Sequence, residues 1–567
     1  MTRTPFFLSI GLLAAVAVAD TFTWDGGGAD NYWLTDANWS TDLAPTNNGT
    51  ALLAFSGNVR AVTTNNCTAD TVFAGISLAN NKTNNLSSFT LAGNRLVLGG
   101  NLTTTASSPG TLSDTLALSL LLNAARTVTV NSAHNLTISG VIGETDGSQS
   151  FTKQGGGDLT LTGANTYSGK TSLSGGRVYY NSLGNLGVAC SFGAPATAEN
   201  GVIDVNARMT YTGGAMTSDR VLNFLGDSQF EHLGSGTLTL TGGITGAGRT
   251  PFIRGGGTII VSGLINLGSG GITRTDGGTL ILSNPANAFT GGLSSLDGTI
   301  SADALADSGI ACPIGAGSKI TIGQANGTTG RVRYTGASDA SCNRAITVVA
   351  QPKNTNGGII ENATAGTTLT LSGNVSVDLW TNTPTLQLTG FGNGVLSGVI
   401  NGAMRVTENG TGSWTLSGAN TYTGVTTVSS GTLLINGSTA AGSALSVAAA
   451  GTLGGTGTVN GVVSLAAGAR LAPGNNGVGT LTLANASAAA LTLNGNTVTC
   501  EVSAVAGVCD TLAIAGTLVL NGANKFAIAF PGGTAPAGTY TLVTYAATNG
   551  LGTLTLDRPY PNATFTV

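Results

Sequence analysis

Residues Gly157-Asp158-Leu159-Thr160-Leu161-Thr162-Gly163-Ala164-Asn165-Thr166-Tyr167-Ser168-Gly169 return as Gly412-Ser413-Trp414-Thr415-Leu416-Ser417-Gly418-Ala419-Asn420-Thr421-Tyr422-Thr423-Gly424, each displaced by 255. A looser copy keeps Leu280, Leu282, Asn287, Phe289 and Gly291 in the same order, with one insertion. Self-similarity of this kind constrains the fold more than any single motif, because each copy must be one structural unit that stacks on others. Within a copy, Leu159 and Leu161, or Trp414 and Leu416, alternate with polar residues at the two-residue period of a strand with one face toward a core. Turn chemistry follows at once, then a short strand, then a Gly-rich corner.

The strand Gly-Thr-Leu-Thr-Leu recurs at 236–240, 479–483 and 552–556, so the pattern spans most of the chain. Between the strong copies lies a weaker relation. Cys190 and Cys312 differ by 122, Tyr211 and Tyr334 by 123, Arg220 and Arg344 by 124. Strand-and-corner units arrive about every ten residues without the fixed blade of roughly 40 to 50 that a propeller reuses. The pattern predicts an all-β chain folded as a right-handed parallel β-helix, whose coils of roughly 20 to 30 residues stack at about 4.8 Å.

Charged residues make up 8% of the 567, against roughly 25% in ordinary soluble domains, so surface polarity must come from Thr, Ser and Asn. The 41% hydrophobic fraction suffices for a core. Gly, Thr, Asn and Val dominate, which argues against helices. A net charge of −4 with no basic cluster excludes the footprint of nucleic-acid binding. Arg3, the apolar run from Phe6 to Val16 and Ala17-Val18-Ala19 read as a signal peptide cleaved after Ala19, so the chain is expected outside the cell. No later stretch has the length of a membrane span.

The expected organisation is a signal peptide at 1–19, an N-terminal cap with first strands at 20–60, and a solenoid at 61–443. Its repeats lie at about 154–178, 275–300 and 409–433. Residues 444–567 either continue the solenoid or close it as a β-cap. Six cysteines in an exported chain leave two readings open, unpaired buried thiols or the candidate disulfides Cys500–Cys509 and Cys312–Cys342, whose spacings fit a bridge.

The segments Gly157 to Gly176 and Gly412 to Gly431 resemble the autotransporter-associated β-strand repeat, also called the passenger-associated transport repeat. Leu471-Ala472-Pro473-Gly474-Asn475 and Cys509-Asp510-Thr511-Leu512 look like the C-terminal part of such passengers, and Trp24-Asp25-Gly26-Gly27-Gly28 with Ala37-Asn38-Trp39 looks like their opening. The resemblance implies a secreted or surface-displayed bacterial parallel β-helix. The sequence departs from autotransporters in lacking the amphipathic strands and aromatic girdles of a C-terminal membrane barrel. Free secretion, surface association and display by a separate barrel protein all remain open.

Chemistry is thinly supplied. A β-helix polysaccharide lyase or hydrolase needs converging carboxylates or a base beside a cation. The local acids are Asp303 with Asp307, Asp219 with Asp227 and Glu231, and Glu144 with Asp146, and each reads first as a solvated loop. Arg331 and Arg333 near Asp339 read as a surface ion pair. His134 and His232 stand alone, and Gly155-Gly156-Gly157-Asp158 lacks the order of the nonapeptide calcium repeat, so no metal or cofactor is expected. Trp24, Trp33 and Trp39 offer stacking faces for carbohydrate, weighed against capping of the open solenoid end. Asn165, Asn287 and Asn420 are expected to hold turns through their own backbone. The expected function is a non-catalytic structural or adhesin-like protein that presents a Thr/Ser/Asn-rich surface to extracellular polysaccharide or cell-surface components. The alternative is the carbohydrate-active enzyme.

Overall fold

The computed structural model describes residues 19–81, 87–107, 112–323, 329–349, 356–378, 383–486, 489–533, 535–560 and 564–566. The expected signal segment lies outside these residues, save Ala19. The chain packs as two units, 1–209 and 210–567, a division that falls inside the single solenoid expected over 61–443. Among the described residues, helix is limited to one 3-10 turn at Asp36–Asn38 and one α-helical turn at Ala198–Gly201. No described helix is long and apolar enough to cross a membrane.

The first unit is a parallel β-helix with three ladders. One runs Asp20–Trp24, Ala51–Phe55, Gly75–Asn81, Leu102–Ser107, Arg126–Thr129, Phe151–Gln154 and the first half of Thr171–Tyr180. A second runs Val62–Asn65, Thr90–Gly93, Leu112–Leu116, His134–Ile138, Asp158–Leu161 and the second half of Thr171–Tyr180. A third joins Thr71–Phe73, Leu96–Leu98, Leu120–Leu122 and Ile142–Glu144. Each strand feeds a corner, and the chain returns to the same ladder one coil later, so these strands pair in parallel register, with isolated antiparallel bridges only at corners such as Trp24 to Trp39 and Asn165 to Cys190.

The second unit repeats the principle. Thr237–Leu240, Thr258–Val261, Thr279–Leu282, Gly298–Ala302, Gly330–Tyr334, Asn356–Asn362, Thr385–Gly390, Arg405–Glu408 and Thr426–Ile435 pair in order. The described part of 444–567 continues as parallel coils through Leu445–Gly455, Arg470–Pro473, Thr497–Glu501, Ala523–Ala529 and Thr553–Leu556.

Register decides which side chains meet. Leu136, Leu159 and Val178 form one inward column, and Ile138, Leu161 and Tyr180 the next. In the second unit Leu238, Ile259, Leu280, Ile300, Val332, Ile360 and Leu388 stack in seven successive coils and are buried. Burying each such side chain contributes roughly 1.5 to 3 kcal/mol, and the column repeats that gain without long loops to close.

Candidate functional site: repeat corners and polar faces

The repeat residues have separable tasks. Leu159, Leu161, Leu280, Leu282, Trp414 and Leu416 are buried on the inward faces of their strands. Trp414 is larger than its equivalents Leu159 and Leu280, and the coil below makes room. Its register partner is Gly394, where a Cβ would lie 2.2 Å from Trp414 Cε3. Gly169, Gly291 and Gly424 sit where coils nearly touch. A Cβ there would come within 2.2 to 2.3 Å of the backbone of Gln149, Gly270 and Met404 respectively.

Two of the asparagines reach beyond the local turn work expected of them, and the third combines both. None has a positive φ. Asn165 is buried, accepts from Ile142 N at 2.8 Å in the preceding coil and donates to Ser191 O at 2.8 Å. Asn287 accepts from Ile265 N and donates to Pro313 O, both at 2.8 Å. Each amide therefore clips backbone groups more than twenty residues away on either side, groups whose burial would otherwise leave them unpaired. Asn420 accepts from Ile400 N at 2.9 Å but donates within its own turn, to Gly418 O.

The aromatic position varies with its neighbour. Tyr167 Oη lies 2.8 Å from Thr171 Oγ1, and Tyr422 Oη 2.6 Å from Thr426 Oγ1. Phe289 has no hydroxyl, and the residue four places on is Leu293, also buried.

A further register position escaped the sequence reading. Lys153, Arg274 and Glu408 occupy the same place before the Gly-rich corner, six residues ahead of Leu159, Leu280 and Trp414, and all three are fully buried. The 255 offset that links the strong copies carries Lys153 onto Glu408, a reversal of charge that hides the correspondence. Burial pushes the Lys153 ammonium down to about 8 and the Glu408 carboxyl up to about 8.

The aromatic N-terminal cluster requires a correction. Trp24, Trp33 and Trp39 are each 0% exposed, so no ring face is left for carbohydrate. Trp24 and Trp39 meet edge to face at 5.3 Å, and Phe55 packs on all three indoles. Their N–H groups go to Val59 O, Thr63 Oγ1 and Trp33 O. The cluster fills the interior of the first coils, with Phe73 and Phe89 beyond it.

The candidate disulfides also fail: all six thiols are free. Cys312 Sγ donates to Gly315 O at 3.1 Å and accepts from Arg344 Nη2 at 3.2 Å, which commits it to a turn rather than to Cys342. Cys190 makes the same turn with Gly193 O at 3.2 Å, so the 122-residue relation describes one corner built twice. Cys500 is buried, while Cys509 is partly exposed and donates to Thr541 O at 3.4 Å.

The acids hold backbone rather than gather. Glu144 accepts from Gln149 N, Ser168 N and Ser168 Oγ at 2.6 to 3.0 Å, Asp227 from Thr250 N at 2.9 Å, and Glu231 from Thr210 Oγ1 at 3.0 Å. Arg331 and Arg333 reach Glu361, at 2.6 and 3.4 Å, instead of Asp339, which accepts from Thr368 N. His134 has a partner that sequence reading missed. Its Nε2 meets Asp114 Oδ2 across one coil, both side chains being buried. Among the described residues, no group of three or more His, Cys, Asp or Glu converges as a metal centre.

Outward faces carry hydroxyl ladders. Thr115, Thr137 and Thr160 are register partners in successive coils, followed by Tyr179. In the second unit Thr237, Thr258, Thr279 and Thr299 line up, then Arg331. A cavity of about 1030 Å³ opens beside the last coils of that unit, walled by Phe530, Tyr540, Leu542, Tyr545 and Tyr560.

The chain carries three copies of the family described as Passenger-associated-transport-repeat, at residues 151–178, 272–301 and 406–435. It is similar to the Adhesin BmaC autotransporter of Brucella suis biovar 1 (strain 1330), at 31% identity over 388 residues, covering 62% of this chain and 11% of that adhesin. The chain thus spans a small part of the length of this curated relative. No solved structure matches.

Proposed function

We propose that this chain is a secreted or cell-surface, adhesin-like β-helix of the autotransporter passenger type, which acts by presenting its polar faces rather than by catalysis. The observation that carries the reading is the joint presence of three passenger-associated repeats and similarity to an adhesin autotransporter over 62% of the chain. The Thr115–Thr137–Thr160 and Thr237–Thr258–Thr279–Thr299 ladders supply the means. Regularly spaced hydroxyls at about 4.8 Å offer alternating donors and acceptors to a polymer of hydroxyls, such as an extracellular polysaccharide, with little charge to steer the encounter. The acids support the non-catalytic part of the reading, because Glu144, Asp227 and Glu231 are engaged with neighbouring backbone or hydroxyl groups.

The test is to assay binding and degradation together on a panel of polysaccharides and matrix proteins, using the purified protein. Retention on a glycan surface without release of fragments is expected. Substituting Thr137, Thr160, Thr258 and Thr279 together by Asp should lower retention at least tenfold. Turnover of any panel member would overturn the non-catalytic reading, and undiminished retention by the substituted protein would remove the ladders as the contact.

A further inference from the structure

The first coil of the first unit and the last coil of the second are finished differently. Asp20–Trp24 pairs with Ala51–Phe55 on one side, and on the other the following turn folds back over it. Ser40 N donates to Thr23 O at 2.8 Å and Asp25 N to Asn38 O at 3.0 Å. Trp24, Trp33 and Trp39 fill the interior there and are fully buried, so this coil offers no edge to a further strand.

The last coil, with strands Val543–Asn549 and Thr553–Leu556, has no such cover. Val543 continues the column of Leu481 and Leu512, Tyr545 that of Leu483 and Ile514, and Leu556 that of Val498 and Phe526. Leu512, Ile514 and Phe526 are buried, whereas Val543, Tyr545 and Leu556 are only half-buried and wall the cavity of about 1030 Å³. The backbone is open as well. Thr553 N and Asp557 N donate back to Gly522 O and Phe526 O at 2.8 and 2.9 Å, so the alternate groups, on Leu554 and Leu556, point away from the coil. Leu542 O accepts from Leu512 N at 2.9 Å, which likewise turns the N–H and C=O of Val543 and Tyr545 outward. Among the described residues no hydrogen bond reaches these outward groups. The neighbouring edge is closed by the chain itself, since Tyr560 Oη accepts from Ile528 N at 2.8 Å and donates to Ile528 O at 3.1 Å.

An exposed edge is ordinarily kept from pairing by charges or proline. Ala537 to Leu556 contains neither. An occupant must bring extended backbone and apolar side chains and meet no charge. The closed first coil rules out head-to-tail stacking, while the same edge of another molecule meets every term and opposes no like charges. Twenty residues line this end, which matches the roughly 20 to 30 that a standard interface gathers on each side. We propose that the last coil is a self-association surface, through which two copies join by Val543–Asn549 and Thr553–Leu556 into a closed two-fold dimer. The two-fold makes each strand contact across the interface antiparallel, unlike the parallel ladders within the coils, and it covers Val543, Tyr545, Leu554 and Leu556.

Light scattering and hydrogen exchange on the purified protein over a range of concentrations test this. The mass should rise to that of two chains and stop there. The amides of Val543, Tyr545, Leu554 and Leu556 should exchange at least about tenfold more slowly in the dimer than in diluted protein. Tyr545→Lys places a charge in the covered space, from which a single chain lets it reach water, so it should hold the mass at one chain without lowering the melting temperature below that of diluted wild type. A single-chain mass at every concentration would overturn the proposal, as would growth beyond two chains, which marks a contact that does not close. A dimer that persists in Tyr545→Lys, or one whose four amides exchange as fast as in diluted protein, would place the interface elsewhere and overturn it too. The exchange measurement on the wild type decides the matter even where the variant does not fold.

Discussion

Tyr422 Oη and Thr426 Oγ1 meet at 2.6 Å inside the third repeat, both fully buried, as Tyr167 and Thr171 do in the first. The second repeat drops both hydroxyls together, with Phe289 and Leu293. The pair is coupled because removing one buried hydroxyl takes away the other's short bond and leaves it longer contacts, such as the 3.4 Å from Thr426 Oγ1 to Ser443 Oγ. Thr426→Val should therefore lower stability by about 1 to 3 kcal/mol, and Tyr422→Phe added to it should recover most of the loss. Urea unfolding midpoints of the two single variants and the double variant decide it.

The asparagine clips predict unequal losses. Asn287→Ala strands Ile265 N and Pro313 O in two different coils, so roughly 2 to 3 kcal/mol should be lost, and hydrogen exchange at the Ile265 amide should accelerate. Asn420→Ala should cost less, since its amide N–H bonds only Gly418 within the same turn. Equal effects would refute the inter-coil assignment.

Gly394→Ala drives a methyl to 2.2 Å from the Trp414 ring and should destabilise by about 1 to 3 kcal/mol. Trp414→Leu installs the residue found at 159 and 280. In the Gly394→Ala background it should relieve the clash, although alone it leaves a cavity. A double-mutant cycle with a clear favourable coupling is the expected result.

The buried corner residues give stability opposite pH dependences. Glu408 has its folded value raised from 4.5 to about 8, so its contribution is fully present below pH 4.5 and lost as pH rises through about 8. Lys153 has its folded value lowered from 10.5 to about 8, so its contribution is present above pH 10.5 and lost as pH falls through about 8. Melting curves in choline buffers from pH 5 to 10 should show the first slope vanish in Glu408→Gln and the second in Lys153→Met.

Trp39→Ala empties part of the aromatic cluster beside Trp24 and Phe55 and should cost about 3 to 5 kcal/mol. Retention on carbohydrate should be unchanged per folded molecule, measured after separating folded from unfolded protein by size. A specific loss of glycan binding in the folded fraction would restore the surface role that burial removes.

The repeat made the parallel coil legible because a two-residue period, fixed corners and recurrence together leave few other ways to bury Leu159, Leu161, Leu280 and Leu282. It also marked Asn165, Asn287 and Asn420 as special without revealing their partners, since a clip to Ile142 or Ile265 depends on which residues one coil earlier fall beneath. Lys153 and Glu408 were hidden for a related reason. Read along the chain they are a lysine and a glutamate in unlike company, and only their shared corner makes them counterparts.

The chain's own order therefore determined the strand period, the stacking of coils, the repeat family and the scarcity of charge, all properties of local pattern. Tertiary structure alone decided that the tryptophans face inward, that Cys312 serves a turn instead of Cys342, and that Lys153 and Glu408 occupy the same buried corner position. Those outcomes depend on contacts between coils some twenty to thirty residues apart, where a one-residue change in corner length alters which atoms meet, and no local pattern records that length in space.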